Sequence, residues 1–331
     1  MTILPLAAGG LFGWYLWERS HRRTHSISGG LHPEITLPHE QEWELWHNEF
    51  SLCSKKMRVC LAELGIPHAS HRVDLIETGS YETISRAFLA VNPAGLVPVL
   101  VHRGHPVYES HDQIAYASEH SGDPQKLVPT EPAARAIMDR WVHKGSLVGD
   151  DPPKAARETA GNAVPGLTMP LFTAMLPDVP VHRILEGLLF HRLKMRPIGF
   201  LAMKARGLRA VATTEPFHSM IRSSRLAMHE HLDDLDATLA ETGGPWVTGE
   251  QFTLADVGMM AILDRIREAD WESELIVDRR PRVQEYWRAL KARPSYAAAI
   301  AAHEHPTVVR GTGRIVALKR SDPAFAAALS S

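Results

Sequence analysis

The sequence predicts two domains, an α/β domain built on a mixed sheet and an all-helical domain after it. The chain has 331 residues, which exceeds the length at which a single hydrophobic core usually stops growing. Strand-like and helix-like runs alternate between residues 43 and 120, as expected of a sheet with helices on its faces. Beyond Pro124 the strand signals nearly vanish and helical periodicity takes over.

The α/β half begins with a predicted strand over Trp43 to His47, in which apolar and polar residues alternate. The helix predicted over Lys55 to Gly65 has an apolar stripe at helical spacing, and Gly65 is typical of a C-terminal cap. The remaining elements of this half are a strand over 67–75, a helix over 81–91, strands over 96–101 and 106–108, and a helix over 111–120.

Pro98 interrupts the strand predicted over 96–101, directly after the turn-forming residues 92–95. Because proline has no N–H to donate to a sheet, it must lie at an edge, at a bulge or after a cis peptide bond. The segment 92–98 is therefore not an ordinary central strand.

The helical half is predicted from periodic segments over 131–142, 181–204, 219–239, 253–267 and 282–290. Thr253 and Asp256 form a capping box at the start of the fourth segment, with Phe252 placed as its hydrophobic staple. Proline-rich and glycine-rich stretches between 149 and 180 separate the first two segments, which indicates an insertion, an active-site cover or a disordered stretch.

The overall composition excludes several classes of protein. With 44% hydrophobic and 22% charged residues, the chain is neither disordered nor collagen-like. Its formal net charge of -2 gives no global field to gather nucleic acid, and no nucleic-acid partner is predicted. The 19 histidines form no His-Glu-x-x-His pattern, so no metal site is predicted. Cys53 and Cys60 are the only cysteines, as expected in a reducing, cytoplasmic compartment.

The N-terminus differs from this picture because residues 2–17 carry no charge and include a cluster of aromatic residues. The stretch is short for a membrane span, but Arg19, Arg22 and Arg23 follow it, as at a membrane interface. Two interpretations follow: membrane contact through residues 2–17 with the rest of the chain on the cytoplasmic side, or a frayed terminus whose aromatic residues pack on the protein's own surface or on a partner. A second basic and apolar stretch, residues 181–209, is predicted either to lie on an anionic membrane or to line a substrate pocket.

Several motifs in order resemble the glutathione transferase superfamily, which has a thioredoxin-like N-terminal domain and an all-helical C-terminal domain. The matching pieces are Ser51-Leu52-Cys53-Ser54 with Arg58, Asn92-Pro93 through Val97-Pro98, Glu109-Ser110 before a helix, Thr253 to Asp256, and the closing segment 281–296. The implied organisation is a hydrophobic segment and linker over 1–40, a thioredoxin-like domain over 41–122, a helical domain over 131–305 with an unmatched insertion over 149–215, and a tail over 306–331.

The resemblance implies that glutathione is the co-substrate and assigns residues to its parts. Glu109 and Ser110 would take the γ-glutamyl end, the carboxylate pairing with the amine while the hydroxyl and helix-start amides hold the carboxylate. Val97, joined to Pro98 by a cis bond, would offer its backbone N–H and C=O to the cysteinyl peptide as one more strand would.

The glutathione thiol must ionise in order to attack an electrophile, and the turn Ser51 to Ser54 is predicted to promote this. Lowering a thiol pKa of ~8.5 by ~2 units requires ~2.7 kcal/mol of preferential stabilisation of the thiolate. Two or three charge-assisted hydrogen bonds and a helix N-terminus are sufficient. Ser51 occupies the position of the activating hydroxyl in serine-type transferases.

Cys53 followed by Ser54 offers a second chemistry, because Ser-x-Cys-Ser is similar to the turn of tetrachlorohydroquinone reductive dehalogenases. It is also similar to the zeta-class Ser-Ser-Cys motif, in which Leu52 departs from the second serine. If Ser51 is the working group, glutathione adds to an electrophilic carbon; if Cys53 works, it resolves a glutathionyl adduct by thiol exchange.

The predicted protein is thus a glutathione transferase, dimeric as its relatives are, that detoxifies a hydrophobic electrophile by conjugation, reductive dehalogenation or thiol transfer. The alternative is a membrane-tethered, non-catalytic binding or morphogenetic protein of the same fold. It resembles the ganglioside-induced differentiation-associated proteins, which carry a long insertion in the second domain.

Overall fold

A five-stranded mixed sheet lies in the first half of the computed structural model, which describes residues 3–149, 151–191, 194–277 and 279–330, with side chains from Gly10 onward. The strands are β1 (Gly30–Leu31), β2 (Trp43–His47), β3 (Ala69–Arg72), β4 (Val99–His102) and β5 (His105–Tyr108). The helices of this half are α1 (Ile3–His21), α2 (Leu52–Leu64), α3 (Arg86–Val91) and α4 (Ser110–Glu119). The strand order is β1-β5-β4-β2-β3, with β2 and β3 parallel and the other pairs antiparallel.

The sheet is buried on both faces because its side chains alternate between two hydrophobic clusters. On β4, Leu100 faces the main core, while Val99 and Val101 face a second cluster that includes Phe88 of α3. This period of two follows from the pleat of a strand. Gly65 ends α2 in the left-handed conformation (φ 70°), as its position in the sequence predicts.

Pro98 lies before β4 rather than within it, because the Val97–Pro98 peptide bond is cis and the strand begins at Val99. The strand prediction over 96–101 was therefore wrong for its first three residues. The segment after Ser26, expected to be linker only, contributes the edge strand β1, in which Gly30 pairs with Tyr108.

The second half consists of helices. They are α5 (Pro132–Lys144), α6 (Ala160–Met175), α7 (Val181–Phe190), α8 (Met195–Thr213), α9 (Phe217–Thr242), α10 (Leu254–Glu268), α11 (Glu272–Leu275), α12 (Pro281–Lys291), α13 (Pro294–Ala299), α14 (Pro306–Ser321) and α15 (Pro323–Ser330). The single helix expected over 181–204 is two helices, α7 and α8. Arg192, one of the basic residues of the stretch 181–209, lies outside the described residues.

Part of the segment 149–215 lies in the hydrophobic core. Helix α6 lies in the core, where Leu167 and Leu171 are fully buried and Gly166 packs so closely on Ser224 of α9 that a Cβ would clash. The residues of the expected tail form α14 and α15, and Gly311 of α14 packs on Leu171 and Met175 of α6. At the two ends of the chain, residues 1, 2 and 331 lie outside the described residues.

The N-terminal residues form helix α1, which packs on α7. Trp14 and Tyr15 contact the ring of Phe190, with centroid distances of 6.4 and 5.9 Å. No helix in the described part of the chain is both long and apolar enough to cross a bilayer. The packed terminus expected as one of two alternatives is thus present for the described residues, while Thr2 lies outside them.

Candidate active site

The N-terminus of α2 holds the first of the predicted site residues. Ser51 is the N-cap residue, with extended backbone (φ −60°, ψ 123°), and its hydroxyl accepts a hydrogen bond from the Ser54 N–H at 3.2 Å. The same hydroxyl lies 3.5 Å from the Val97 carbonyl oxygen, to which it donates. This contact brings together the turn before α2 and the loop before β4, two segments that are 46 residues apart.

The Val97–Pro98 peptide is in turn connected to the start of α4. The Pro98 carbonyl accepts a hydrogen bond from Gln113 Nε2 at 2.9 Å, and the same amide donates to the Val107 carbonyl at 2.8 Å. Gln113 lies one turn into α4, and its N–H donates to the Glu109 carbonyl. Sequence reasoning missed Gln113, because a buried amide in a short helix has no distinctive pattern.

Glu109 and Ser110 occupy the sharp bend from β5 into α4. Glu109 has a positive φ (φ 63°, ψ 123°), which is uncommon for a residue other than glycine, and its side chain is exposed. Ser110, the first residue of α4, is buried. Residues held in sparsely populated conformations cluster at functional sites, and here the bend places an exposed acid at the N-terminus of α4.

The N-terminal segment forms a wall beside this acid-serine pair. Gly29 lies so close to α4 that a Cβ at its position would be 2.1 Å from Asp112 Oδ2 and 3.1 Å from Glu109 Cβ. Upstream of it, the His25 N–H donates to the Pro93 carbonyl at 2.8 Å. Residues 25–29 therefore follow the edge of the site from the loop before Pro98 to Glu109, and any side chain at position 29 would displace them.

The two cysteines have different environments. Cys53, one residue into α2 from Leu52, is half-buried, whereas Cys60 is completely buried and its Sγ lies 3.7 Å from the Ile114 carbonyl. Burial raises the pKa of the Cys60 thiol well above its usual range. Because seven residues of helix separate the two Cα atoms by ~10 Å, a disulfide between them is excluded.

Ser54 supports the conformation of the turn and does not contribute to its exposed surface. The residue is fully buried, and its hydroxyl accepts a hydrogen bond from the Asn48 N–H at 3.3 Å. Its own N–H donates to Ser51. Ser54 thus orients Ser51, while Ser51 and Cys53 are the members of the turn that retain partial exposure.

Helix α10 fixes this turn from the side of the helical domain. Lys55 is buried and its Nζ lies 2.5 Å from Asp264 Oδ2 and 2.6 Å from Glu268 Oε1. Burial alone would raise the pKa of the Asp264 carboxyl, but the charges of Lys55 and Arg267 outweigh it and hold the pKa below its usual value. The Asp264 carboxyl therefore stays ionised, and its contact with Lys55 connects the helical domain to α2.

Arg265 of α10 reaches the residue before Ser51. Its guanidinium donates to the Phe50 carbonyl and lies over the Phe50 ring, 3.8 Å from the centroid. On another side, the Phe50 ring contacts Phe172 of α6 edge-on at 5.4 Å. Phe50 itself is buried, whereas Phe172, which the helical domain supplies beside it, is partly exposed.

Arg58, predicted as part of the motif, lies on the inner side of α2. Its guanidinium donates to the Asn48 and Ala299 carbonyls and to His47 Nδ1, at 3.0, 2.8 and 3.2 Å. Burial, with the nearby Arg58 charge, lowers the pKa of His47 to about 3. Arg58 therefore holds the end of β2 against the helical domain and has no part in the exposed site.

Within the described residues, no three His, Cys, Asp or Glu side chains are grouped so as to hold a metal ion. What the site offers is a helix N-terminus with a hydroxyl, an open peptide group and a carboxylate. These groups suit an anionic sulfur, a peptide backbone and an amine, in that order.

Comparisons with known proteins give matches to both halves of the chain. The family described as glutathione S-transferase, N-terminal domain, matches residues 50–120, and the corresponding C-terminal domain matches residues 221–303. Among curated proteins, the chain is 26% identical to glutathione S-transferase TCHQD of Arabidopsis thaliana over 78% of this chain and 89% of that protein. It is 23% identical to the tetrachloro-p-hydroquinone reductive dehalogenase of Sphingobium chlorophenolicum over 78% of this chain and 95% of that one.

Solved structures show the same fold. Beta-etherase LigF of Sphingobium sp. strain SYK-6 matches with a TM-score of 0.62 and 19% identity, covering 79% of this chain and all of that chain. Glutathione transferase F7 of Populus trichocarpa matches with a TM-score of 0.54 and 18% identity, covering 79% and 99%. At such identities the likeness concerns the fold alone.

Proposed function

The chain belongs to the glutathione transferase superfamily, and we propose that it is a glutathione-dependent enzyme that acts on a hydrophobic electrophile. The observation that carries the proposal is the convergence of three segments at one place. Ser51 at the start of α2 contacts the Val97 carbonyl, and the next carbonyl, of Pro98, is held by Gln113 of the helix that begins at Glu109. These are the groups that an extended tripeptide thiol needs.

Glutathione would lie across this edge with its γ-glutamyl end at Glu109 and Ser110 and its sulfur at Ser51. The Glu109 carboxylate would pair with the ligand's amine, while the amides at the start of α4 would hold its carboxylate. The Val97 backbone would pair with the cysteinyl peptide. We propose that all seven predicted residues belong to the site, with Ser54 in a supporting role. They are Ser51, Cys53, Ser54, Val97, Pro98, Glu109 and Ser110.

In the first of two chemistries, Ser51 donates a hydrogen bond to the glutathione thiolate at the positive end of α2. The thiolate adds to an electrophilic carbon, and a leaving group departs with the bonding electrons. Phe172, which is partly exposed and packs on the buried Phe50 ring, would offer apolar surface to the electrophile. The product is a glutathione conjugate, which is the outcome implied by a conjugating, detoxifying transferase.

The second chemistry uses Cys53 and is favoured by its partial exposure on the first turn of α2. The Cys53 sulfur attacks the sulfur of a glutathionyl adduct, the bond from that sulfur to the substrate carbon breaks, and the carbon takes a proton. A second glutathione then releases Cys53 as glutathione disulfide forms, so that two thiols are oxidised as one carbon–halogen bond is reduced. The names of the Sphingobium relatives, a reductive dehalogenase and a 2,5-dichlorohydroquinone reductive dechlorinase, agree with this chemistry.

The non-catalytic, membrane-tethered alternative has no support in the comparisons, since the relatives found carry the names of transferases and dehalogenases. We propose a homodimer in the cytoplasm, with a thioredoxin-like domain over 41–122 and a helical domain over 131–305. Contact of residues 2–17 with a membrane also stays a proposal.

The test is calorimetric titration with glutathione followed by turnover assays on the full chain. We expect saturable heat with the wild type, and turnover with a chloronitroaromatic or a chlorinated hydroquinone. Turnover retained in Cys53→Ala and lost in Ser51→Ala would assign conjugation, and the reverse result would assign thiol exchange. Cys60→Ala is the matched control for removal of a thiol. An absence of heat with the folded wild type would overturn the proposed function.

A further inference from the structure

Exposed apolar side chains are concentrated on three helices outside the segments that match the transferase families. Fourteen large hydrophobic residues of the described part of the chain are exposed, and ten of them lie on α1, α7 and α8. We call these ten residues the apolar patch. They are Leu11, Phe12, Trp14, Leu16 and Trp17 on α1, Val181, Leu185 and Leu189 on α7, and Met195 and Ile198 on α8.

The three helices form one continuous part of the surface. Trp14 and Tyr15 pack on Phe190 at the end of α7, and Arg22 lies over the same ring, 4.5 Å from its centroid. Arg22 also forms an ion pair with Glu186 of α7 at 2.9 Å. Helix α8 follows after a break of four residues, and Lys194 in that break donates to the Leu188 and Leu189 carbonyls.

Only part of the apolar surface of helix α1 packs against the rest of the protein. Tyr15 is half-buried against Phe190, whereas Leu11 and Phe12 are 68% and 62% exposed. On α7, Ile184 and Phe190 point into the protein, while Val181, Leu185 and Leu189, spaced four residues apart, form a stripe that faces solvent. Contiguous exposed apolar surface of this kind marks an interaction site.

The two segments that carry the apolar patch are rich in basic residues although the whole chain carries a net charge of -2, and two of these residues, Arg196 and Arg209, pair with Glu77 and Asp322. Residues 3–23 and 181–213 together contain ten Lys and Arg side chains and two acidic side chains. The two acids are engaged internally, since Glu18 pairs with Arg22 at 2.8 Å and Glu186 pairs with Arg22 and Arg183. Arg19 and Arg23 at the end of α1 are exposed.

The positive charges of the two segments also meet in space. Arg22, which follows α1, lies over the Phe190 ring at the end of α7, and Lys194 before α8 donates to the Leu188 and Leu189 carbonyls of the same helix end. The end of α1 and the start of α8 thus form one basic rim beside the exposed tryptophans. Tryptophan is enriched at membrane–water interfaces, and Lys and Arg beside an apolar face attract anionic headgroups.

From these observations we propose that the apolar patch and its basic rim bind the surface of a bilayer that contains anionic phospholipid. The helices lie in the interface and do not cross it, in agreement with the lack of a spanning helix among the described residues. An in-plane amphipathic helix needs an apolar face and a basic flank, and α1 together with α7 supplies both. The proposal is independent of the proposed enzymatic function.

The test uses the full chain and large vesicles of two compositions, pure phosphatidylcholine and equal parts phosphatidylcholine and phosphatidylglycerol. We expect cosedimentation with the anionic vesicles, weaker by at least about tenfold with the neutral ones and reduced by salt. The emission of Trp14 and Trp17 should shift to shorter wavelength on binding. A lack of binding to anionic vesicles, or equal binding to both kinds, would overturn the proposal.

Three variants separate the apolar and the electrostatic contributions. The double variant Leu11→Glu/Phe12→Glu should lose at least about tenfold in affinity because it places charge on the apolar face. Arg19→Glu/Arg23→Glu should lose binding only to anionic vesicles. The matched control Val309→Glu changes an exposed apolar residue on α14, away from the apolar patch, and should bind as the wild type does.

Circular dichroism and thermal melting of each variant would show that the fold is retained, since all five altered positions are exposed. Sedimentation velocity tests the competing occupant, a second copy of the chain. If Leu11→Glu/Phe12→Glu turns a dimer into a monomer while vesicle binding is absent or unchanged, the surface is an interface between copies and the proposal is wrong.

Discussion

Ser51 is the residue on which the proposed activation of glutathione depends most. Its hydroxyl is fixed between the Ser54 N–H and the Val97 carbonyl, at distances of 3.2 and 3.5 Å. The described turn Ser51 to Ser54 contains two serines, and of these Ser51 is partly exposed while Ser54 is buried. The Ser54 N–H keeps the Ser51 oxygen in place, so donation to a thiolate requires only that the O–H bond rotate away from its long contact with the Val97 carbonyl.

We predict that Ser51→Ala lowers kcat/KM for conjugation by about 10- to 100-fold, the cost of one hydrogen bond to a charged sulfur. Steady-state kinetics with a chloronitroaromatic substrate measures this. Cys53→Ala should remain within about twofold of the wild type in the same assay, since conjugation makes no use of that sulfur. A larger loss in Cys53→Ala than in Ser51→Ala would contradict the assignment of Ser51.

The two thiols should differ sharply in reactivity. We predict that a maleimide modifies Cys53 in the native protein and leaves Cys60 unmodified, because Cys60 is completely buried and its pKa is raised. Peptide mapping by mass spectrometry distinguishes the two sites, and urea-unfolded protein is the control in which both react. Saturating glutathione should protect Cys53 from modification. Modification that is unaffected by glutathione would show that Cys53 lies outside the binding site.

His47 predicts a specific dependence of stability on pH. The unfolded side chain has a pKa of ~6.5, whereas burial and Arg58 lower the pKa of the folded side chain to about 3. Between these values the unfolded state binds more protons, so stability rises with pH and falls on acidification, by at most ~1.4 kcal/mol per pH unit from this residue.

Urea unfolding at several pH values between 4 and 7 measures this slope. His47→Gln should give a flatter slope than the wild type, whatever its effect on stability at neutral pH. The control His182→Gln alters an exposed histidine and should leave the slope unchanged. An identical slope in His47→Gln and the wild type would show that this histidine titrates normally.

At the scale of elements, α10 is the helix whose start the sequence predicted most accurately. Thr253 and Asp256 form the expected capping box, and the Asp256 carboxylate also accepts hydrogen bonds from the Val247 N–H and the Tyr286 hydroxyl at 3.0 and 2.9 Å. The carboxyl is completely buried, and this burial raises its pKa. The helix carries Asp264 and Arg265, so its position determines that of the turn at Ser51.

We predict that Asp256→Ala lowers the free energy of unfolding by about 3 kcal/mol, since it removes a cap and leaves several buried donors without an acceptor. Equilibrium denaturation in urea measures the change. Glu250→Ala, an exposed acid in the preceding loop, should change stability by less than about 0.5 kcal/mol. A loss of under 1 kcal/mol in Asp256→Ala would show that α10 does not depend on this network.

Local signals such as the capping box and Gly65 were predictable because each depends on residues close together in the sequence. Elements that depend on long-range contacts were not predictable. The strand β1 consists of two residues that pair with β5 from a segment rich in glycine and histidine. The break between α7 and α8 was also missed, because both helices continue the same apolar and basic composition.

The same distinction applies to the site. Ser51, Val97 and Glu109 were identified from a resemblance, and the structure brings their segments together through Gln113, which no short pattern singles out. From α10, Arg265 reaches the Phe50 carbonyl and Asp264 reaches Lys55 of α2, in each case over more than 200 residues of chain. A buried charge of this kind can be placed only when its partner across the fold is known.

At the scale of the whole molecule, the helical domain positions the turn that we propose activates glutathione, while the N-terminal residues border the opposite end of the proposed site. Lys55, Asp264 and Glu268 connect the domains through buried charges, which are costly to separate. Gly29 lies against Glu109, and His25 before it is bonded to the Pro93 carbonyl. The N-terminal segment thus belongs both to the wall of the site and, through α1, to the proposed membrane surface.

The central claim is that the start of α2 ionises the thiol of bound glutathione at neutral pH. Difference ultraviolet spectroscopy of the complex, recorded as a function of pH, follows the thiolate directly. The account predicts an apparent thiol pKa ~2 units below that of a free thiol, and its return toward the free value in Ser51→Ala. A bound thiol that titrates as it does in free solution, in a wild-type protein saturated with glutathione, would contradict the account.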